Sequence, residues 1–325
     1  MTRLCSARRL AVVAWLAVAF GSVACGHAER DRPRSERTAP GVAVVAQRQV
    51  APRIVDLTVR SRALGRTAKV RLLTPEGWSS RHPARHWPVL YLLHGCCDTY
   101  DSWTRETAIE GMRRLRGVLV VMPEAGDVGF YSDWLNHGRP GPPAWETFHL
   151  VELRDLLERR YGAGRPRAVA GLSMGGLGAT SYAARHRDLF AAAASYSGLL
   201  HPLADAQWLL GLFSAHTPDP LAIWGDPDAQ SSTWSAHDPT ALASRLRGTR
   251  VFVSSGNGKR GPFDRAEAPR DDVEATVYRE SRAFAARLHR LGIPAKTDFY
   301  GRGTHDWPYW ERELQRSLPL LLGAS

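Results

Sequence analysis

The chain has 325 residues, a formal net charge of +11 and a hydrophobic content of 44%. This composition agrees with one globular domain and a large core. Only Lys69, Lys259 and Lys296 among the 43 basic residues are lysine, and the arginines are scattered, many at helical spacing beside acids. The charge therefore predicts no nucleic-acid-binding stripe, although it would favour contact with an anionic envelope.

The first 25 residues predict a secretory signal peptide. A basic start is followed by an apolar run from Leu10 to Phe20 and by small residues up to Cys25, and eleven apolar residues are too few to cross a bilayer. Ser22 to Cys25 resembles a lipobox in which Ser22 replaces the usual leucine. Lipidation of Cys25 and plain cleavage nearby are equally compatible with it. We expect a secreted or envelope-anchored protein, in which a lipidated Cys25 would provide membrane association.

Residues 26–53 are charged and contain prolines, with little strand or helix period, which predicts a flexible tether. The remaining residues, 54–325, are predicted to form a single α/β domain. Its first strands are expected at Arg53–Arg60 and Lys69–Leu73, and they are expected to be antiparallel.

Strands then alternate with helical patterns, which is typical of a mostly parallel sheet. Eight strands with an antiparallel start fit the α/β-hydrolase fold. Residues 200–237, rich in tryptophan and proline, interrupt the alternation and predict a small cap over the site or a packed excursion. The further strands are expected at Pro88–Leu93, Val118–Met122, Arg167–Leu172, Ala191–Ser197, Val251–Ser255 and Lys296–Tyr300, and the main helices at Trp145–Tyr161, Gly175–His186 and Asp272–Leu291.

Residues 171–176, Gly-Leu-Ser-Met-Gly-Gly, predict a nucleophile elbow. They lie between an apolar strand and a helical pattern, so that Ser173 would stand on a tight turn. Side chains at Gly171 and Gly175 would collide with neighbouring chain there. The N–H of Met174, at the start of the helix, would point at an oxyanion formed beside Ser173.

A hydrolase of this kind needs a histidine and an acid after the serine in the chain. His305 follows the last predicted strand and precedes the final helix, so it can serve as the general base. The acid is less determined by spacing. Glu274 lies in the first turn of a helix, a position that fits a catalytic acid and an acid that stabilises the helix dipole equally well. Asp271 or Asp272 suits the N-cap of that helix.

The second oxyanion donor is expected in the loop after the strand that ends at Leu93, where the sequence is His94-Gly95-Cys96-Cys97. The N–H of Cys96 or Cys97 could face Ser173. Adjacent cysteines can indicate a metal or redox site. We instead expect unpaired thiols packed under the loop, because a disulfide between neighbours is strained and free cysteine behaves as a small buried hydrophobe.

Five segments of the chain resemble the antigen 85 type mycolyltransferases and their esterase D relatives. They are the elbow, Phe130–Trp134, Trp145–Phe148, Gly256–Gly258 and Gly303–Trp310. The resemblance runs from about Ile54 to the end of the chain, with the segments in the same order. The resemblance implies an α/β-hydrolase. It also implies that the catalytic glutamate at the start of the helix after Gly-Asn-Gly is Glu274, with Asp264 as the alternative.

By the same resemblance, Cys96 and Met174 supply the oxyanion N–H groups. The mycolyltransferases carry Asp-Gly-Leu-Arg where this chain has residues 94–97, so the acid and arginine that help to hold trehalose there are missing. That departure favours general ester hydrolysis over mycolyl transfer. Trp307 is retained after the histidine, and it is expected either to line an acyl or alcohol pocket or to pack in the core.

The sequence thus predicts a serine carboxylic-ester hydrolase that acts through an acyl-enzyme, with Ser173, His305 and Glu274 as the triad. No metal or organic cofactor is expected, and the substrate is expected to be a small-molecule or lipid ester. Two alternatives remain open. One is an acyltransferase that moves the acyl group to a sugar alcohol, and the other is a non-catalytic envelope-binding protein that keeps the fold.

Overall fold

A computed structural model describes residues 42–79 and 85–323. One nine-stranded sheet runs through this part of the chain, in the order β1-β2-β3-β5-β4-β6-β7-β8-β9. Its first three pairings, up to β3 with β5, are antiparallel, and the rest are parallel. The strands are β1 Ala43–Ala51, β2 Ile54–Ser61, β3 Arg66–Leu73, β4 Trp87–Leu93, β5 Leu119–Pro123, β6 Ala163–Leu172, β7 Ala192–Tyr196, β8 Arg250–Gly256 and β9 Ala295–Gly301.

Strand β1 corrects the predicted tether of residues 26–53, which was wrong for Ala43–Ala51. Its side chains are exposed or half-buried along the whole strand, so it shows no alternation of apolar and polar positions. Pairing with β2 along most of its length holds it in place. The sheet therefore has nine strands and not eight. The predicted signal peptide, Cys25 and the first part of the tether lie outside the described residues.

The central strands are buried on both faces, as expected of a sheet covered by helices. Every residue of β7 is buried, as are the last six of β6. The helices are α1 Ser102–Glu106, α2 Trp145–Thr147, α3 Arg154–Arg160, α4 Met174–Arg185, α5 Ala206–His216, α6 Leu221–Trp224, α7 Ser231–His237, α8 Pro239–Leu242, α9 Asp272–Arg290 and α10 Trp307–Leu322. None within the described ranges is long and apolar enough to cross a membrane.

The helix predicted at Trp145–Tyr161 is interrupted, because a π-helical stretch at Phe148–Leu153 separates α2 from α3. Short 3-10 helices occur at Ile109–Gly111, Arg113–Leu115, Asn136–Gly138 and Ala243–Leu246.

The excursion between β7 and β8 is helical, from α5 to α8. It is attached through aromatic side chains: Phe213 of α5, Trp224 of α6 and Trp234 of α7 are fully buried. Ring centroids of Phe213 and Trp224 lie 5.7 Å apart, and those of Trp224 and Trp234 lie 5.2 Å apart. Trp224 and Trp234 therefore pack in the interior, which explains why residues 200–237 break the alternation of strands and helices in the sequence.

Because β4 and β6 to β9 are parallel, their carboxyl ends lie at one edge of the sheet. The loops that follow them carry residues 94–97, Ser173, Ser197, the Gly256 region and His305. Open α/β sheets bind their ligands at this edge.

Candidate active site

Ser173 lies between β6 and α4 with φ 52° and ψ −121°, a strained conformation for a residue with a side chain. The backbone holds it there, since the Ser173 N–H donates to Tyr196 O at 3.0 Å. A Cβ at Gly171 would lie 2.3 Å from Gly175 O, and one at Gly175 would lie 2.5 Å from Leu93 O. The strand-turn-helix geometry of an elbow is therefore present, and it requires glycine at both positions.

The loop after β4 lies against this elbow. A Cβ at Gly95 would be 2.6 Å from Leu172 Cδ1 and 3.3 Å from Ser173 Cβ. The Cys97 N–H donates to Asp127 O at 3.0 Å, whereas the Cys96 N–H has no acceptor among the described residues. Of the two loop amides considered from the sequence, Cys96 is therefore the one whose N–H is not used by another described residue, and Met174 lies at the first position of α4.

His94 orients the peptide that carries the Cys96 N–H. Its Nε2 accepts from Ala125 N at 3.0 Å, so Nδ1 carries the proton and donates to Gly95 O at 2.7 Å. The carbonyl of Gly95 and the N–H of Cys96 belong to one trans peptide and point in opposite directions. Burial lowers the pKa of His94, which favours the neutral tautomer that this arrangement needs.

His305 and Glu274 are joined by a hydrogen bond of 2.8 Å from His305 Nδ1 to Glu274 Oε2. This leaves Nε2 of His305 as the nitrogen that can take a proton. Among the described residues no hydrogen bond joins His305 to the Ser173 hydroxyl. In free hydrolases that bond is often long, and it tightens when substrate binds.

The other oxygen of Glu274 is also fully used. Oε1 accepts from Ser197 Oγ at 2.9 Å, from Ser255 Oγ at 2.9 Å and from Gly256 N at 2.6 Å. The side chain is completely buried. A buried carboxylate with this many donors is held in one orientation, and the first turn of α9 adds the favourable end of the helix dipole.

The other two acids hold the loops around the pair. Asp271 is the N-cap of α9, with Oδ1 accepting from Glu274 N at 2.9 Å and Oδ2 from His305 N at 2.8 Å. Asp264 accepts from Thr304 Oγ1 and, at 2.9 Å, from Tyr309 Oη. Of the two candidates for the triad acid, Glu274 is hydrogen-bonded to the His305 imidazole. Asp264 is instead hydrogen-bonded to Thr304, the residue before His305.

Trp307 is half-buried at the start of α10. Its ring meets those of Trp103 and Trp310 edge to face, with centroids 5.1 and 5.3 Å apart. The Trp310 ring in turn contacts His305, at 4.9 Å between centroids. Trp307 thus belongs to an aromatic cluster beside the histidine, and both of its expected roles, pocket wall and packing, agree with this position.

The expectation of unpaired, buried thiols was wrong. Cys96 and Cys97 form a disulfide, Cys96 is half-buried and Cys97 is exposed. The Cys97 sulfur also lies 3.2 Å from Nε2 of His216, the last residue of α5. Apolar burial was the basis of the prediction, and this loop is on the surface beside the excursion.

The sequence did not indicate the supporting residues His94, Ser197, Ser255 and His216. Of these, only His94 had a signal in the sequence, the His-Gly pair directly after the strand that ends at Leu93. The others act through contacts between residues 19 to 119 positions apart in the chain, and no local spacing records such contacts.

Some surface cavities lie away from these residues. One of about 590 Å³ is lined by Arg250, Val251 and Ala295, at the amino ends of β8 and β9. Ser173 follows the carboxyl end of β6, at the opposite edge of the sheet. The position of the reacting groups, and not cavity size, therefore locates the site.

Comparison with known proteins agrees with this geometry. The model of the Esterase family, described as "Putative esterase", matches residues 61–321. The chain is 33% identical over 277 residues to the diacylglycerol acyltransferase/mycolyltransferase Ag85B of Mycolicibacterium smegmatis. The alignment covers 81% of this chain and 82% of the relative. It is 31% identical over 262 residues to esterase Rv1288 of Mycobacterium tuberculosis, in an alignment that covers 78% of this chain and 56% of the relative.

Solved structures show the same fold. The crystal structure of MPT51 (FbpC1) from Mycobacterium tuberculosis aligns with a TM-score of 0.67 and 28% identity, covering 82% of this chain and 97% of that one. FphF, a fluorophosphonate-binding serine hydrolase of Staphylococcus aureus, aligns with a TM-score of 0.64 and 21% identity, covering 83% and 98%. The predicted fold class and family resemblance are confirmed. The chain therefore belongs to the Esterase family, in its antigen 85 type, and it is a serine esterase with the α/β-hydrolase fold.

Proposed function

We propose that this protein hydrolyses carboxylic esters through an acyl-enzyme on Ser173. The observation that carries the proposal is the 2.8 Å hydrogen bond from His305 Nδ1 to the buried Glu274 carboxylate, on loops at the same sheet edge as the strained serine. Nucleophile, base and orienting acid follow one another in the chain order of this fold.

In the first step the Ser173 oxygen attacks the ester carbonyl carbon while His305 Nε2 takes the hydroxyl proton. The carbonyl oxygen becomes an oxyanion and accepts from the N–H groups of Cys96 and Met174. The tetrahedral intermediate then collapses. The alcohol leaves with the proton that His305 returns, and an ester of Ser173 remains.

In the second step a water molecule attacks that ester and gives a proton to His305. Collapse of the second intermediate releases the carboxylic acid and restores the Ser173 hydroxyl. Glu274 stays ionised throughout and stabilises the imidazolium that forms in each step. The donors on its other oxygen support this role, because they prevent the carboxylate from rotating away.

Acyl transfer to a sugar alcohol is the second candidate, since the chain is 33% identical to an enzyme named as a diacylglycerol acyltransferase/mycolyltransferase. Both reactions share the first step and differ in whether water or an alcohol attacks the acyl-enzyme. The sequence His94-Gly95-Cys96-Cys97 favours water, because this stretch has no acid or arginine to hold a sugar. We assign the exposed part of Trp307 to one wall of the acyl or alcohol pocket.

We also propose that the protein acts outside the cytoplasm, secreted or attached to the envelope through a lipidated Cys25. The basic, apolar and small-residue order of the first 25 residues supports this location. The net charge of +11 would add electrostatic attraction to an anionic surface.

The test is hydrolysis of a series of p-nitrophenyl esters of increasing acyl length by the purified protein. We expect turnover, and we expect Ser173→Ala to lower kcat by about 10⁵-fold or more. A fluorophosphonate probe should label the parent and not this variant. Hydrolysis by Ser173→Ala at the parent rate would overturn the proposal. Product analysis with trehalose present separates the two candidates, since a hydrolase yields free acid and a transferase yields acylated sugar.

A further inference from the structure

Three side chains of the types that can bind a metal ion lie together where the loop after β4 meets the end of α5. The sulfurs of Cys96 and Cys97 and one ring nitrogen of His216 all lie within 4.8 Å of one another. Cys97 Sγ is 3.2 Å from His216 Nε2 and 3.5 Å from Nδ1. Cys97 and His216 are exposed and Cys96 is half-buried, so the group is open to solvent.

The distances from Cys97 Sγ to the ring nitrogens of His216 are close to those of a zinc site. With Zn–S near about 2.3 Å and Zn–N near about 2.0 to 2.1 Å, a tetrahedral site separates its sulfur and nitrogen ligands by roughly 3.6 Å. Two thiolates and one imidazole are soft or borderline donors, which favours zinc over magnesium or calcium. The next acid in the chain, Asp98, is already paired with Arg105 at 2.6 Å. Three protein ligands leave the fourth position to water.

We propose that Cys96, Cys97 and His216 form a zinc site that exists only when the Cys96–Cys97 disulfide is reduced. Two molecules of a thiol reductant, or one dithiol, cleave the bond: one thiolate attacks a cysteine sulfur, the second resolves the mixed disulfide, and the reductant leaves as its own disulfide. Zinc then replaces the two thiol protons, which are released. In the disulfide form both sulfurs are bonded to each other and supply no thiolate.

Zinc at this site would join the end of α5 to the loop that carries the Cys96 N–H. This consequence rests on the proposed function, in which that N–H receives the oxyanion. The bound ion would hold Cys96 by its side chain and so restrain the loop that must present its N–H to the oxyanion. We therefore expect zinc to lower esterase turnover in the reduced protein and to leave the disulfide form unaffected.

Cobalt titration tests the binding separately from catalysis. The full chain would carry Cys5→Ser and Cys25→Ser, so that Cys96 and Cys97 are its only cysteines. After reduction and removal of the reductant we expect about one Co²⁺ per chain, with thiolate-to-cobalt charge-transfer absorption and the visible bands of a tetrahedral site. Zinc should displace it. The oxidised protein should show none of these bands.

Variants identify the ligands. His216→Ala should lower the cobalt affinity by at least roughly tenfold to hundredfold, the loss expected when even a residue outside the ligand set is changed. The double variant Cys96→Ser with Cys97→Ser should abolish the charge-transfer band. His289→Ala, an exposed histidine on α9, is the matched control and should bind as the parent does. Ser173→Ala should bind cobalt as the parent does. The cobalt result can therefore be interpreted even if the proposed ester hydrolysis is not observed. Equal cobalt affinity in the reduced parent and in either the double serine variant or His216→Ala would overturn the site.

Discussion

The two halves of the active site are held in different ways. On the histidine side, the buried carboxylate of Glu274 accepts four hydrogen bonds: one from Ser197 after β7, two from Ser255 and Gly256 at the end of β8, and one from His305. On the oxyanion side, the loop is on the surface and its cysteines are bonded to each other beside His216. The hydrogen bonds of Glu274 thus fix the orientation of His305, whereas the loop with the proposed oxyanion donor is held by a disulfide at the surface.

The largest effect is expected from breaking the histidine side at Glu274. Glu274→Gln keeps the size of the side chain but no longer stabilises the imidazolium, so kcat should fall by about 10⁴-fold. Steady-state hydrolysis of a p-nitrophenyl ester measures this. Asp264→Asn is the control, and it should change kcat less than about tenfold because Asp264 holds Thr304 and not His305. The reverse order of effects would move the acid to Asp264.

The next effect is expected from removing one donor on the oxyanion side. Proline has no N–H, so Cys96→Pro should lower kcat by about 10² to 10³-fold. Cys97→Ala also eliminates the disulfide, but it leaves the Cys96 N–H in place, and its kcat should stay within about tenfold of the parent. If both variants lost the same activity, the disulfide and not the N–H would be the important feature.

A smaller effect should follow from loosening the link between Glu274 and His305. Asp271→Ala removes the acceptor for both backbone N–H groups. Loss of the N-cap should lower the free energy of unfolding by about 1 kcal/mol, and misplacement of the pair should lower kcat by up to about 10²-fold. Urea unfolding and kinetics on the same preparation measure the two. A stability loss with unchanged kcat would reduce Asp271 to a helix cap.

The smallest effect concerns His94 and acid pH. Burial lowers the pKa of His94, so the folded state binds its proton less readily than the unfolded state. Its contribution to stability is present above the unfolded pKa of about 6.5 and is lost as pH falls toward the lowered value, by at most about 1.4 kcal/mol per pH unit.

Urea unfolding of the parent and of His94→Gln at several pH values between about 7.5 and 5 tests this expectation. Glutamine can still accept from Ala125 N and donate to Gly95 O, and it does not titrate. The variant should therefore lose less stability than the parent on acidification. Buried His149, whose pKa is lowered to about 4, titrates in both proteins and cancels from the comparison. Parallel curves for the two proteins would contradict the role given to His94.

Much of the fold followed from local pattern. The elbow glycines and the apolar runs of β4, β6, β7 and β8 depend on neighbours in the chain, and the structure has these elements within four residues of their predicted ends. Strand β1 was missed because neither of its faces is buried. Glu274 was favoured over Asp264 through the family resemblance and not through spacing. The disulfide and His216 depend on where a surface loop meets α5, which no periodicity of the sequence encodes.

The carboxylate of Glu274 also has a consequence for the local unfolding of the sheet. Its partners follow β7, end β8 and follow β9, so one side chain connects the carboxyl ends of three adjacent strands. Opening any one of these ends exposes a buried charge, which is costly, so the three ends should open together and not separately. Amide hydrogen exchange in this part of the sheet should therefore report on the integrity of the catalytic groups, without any substrate present.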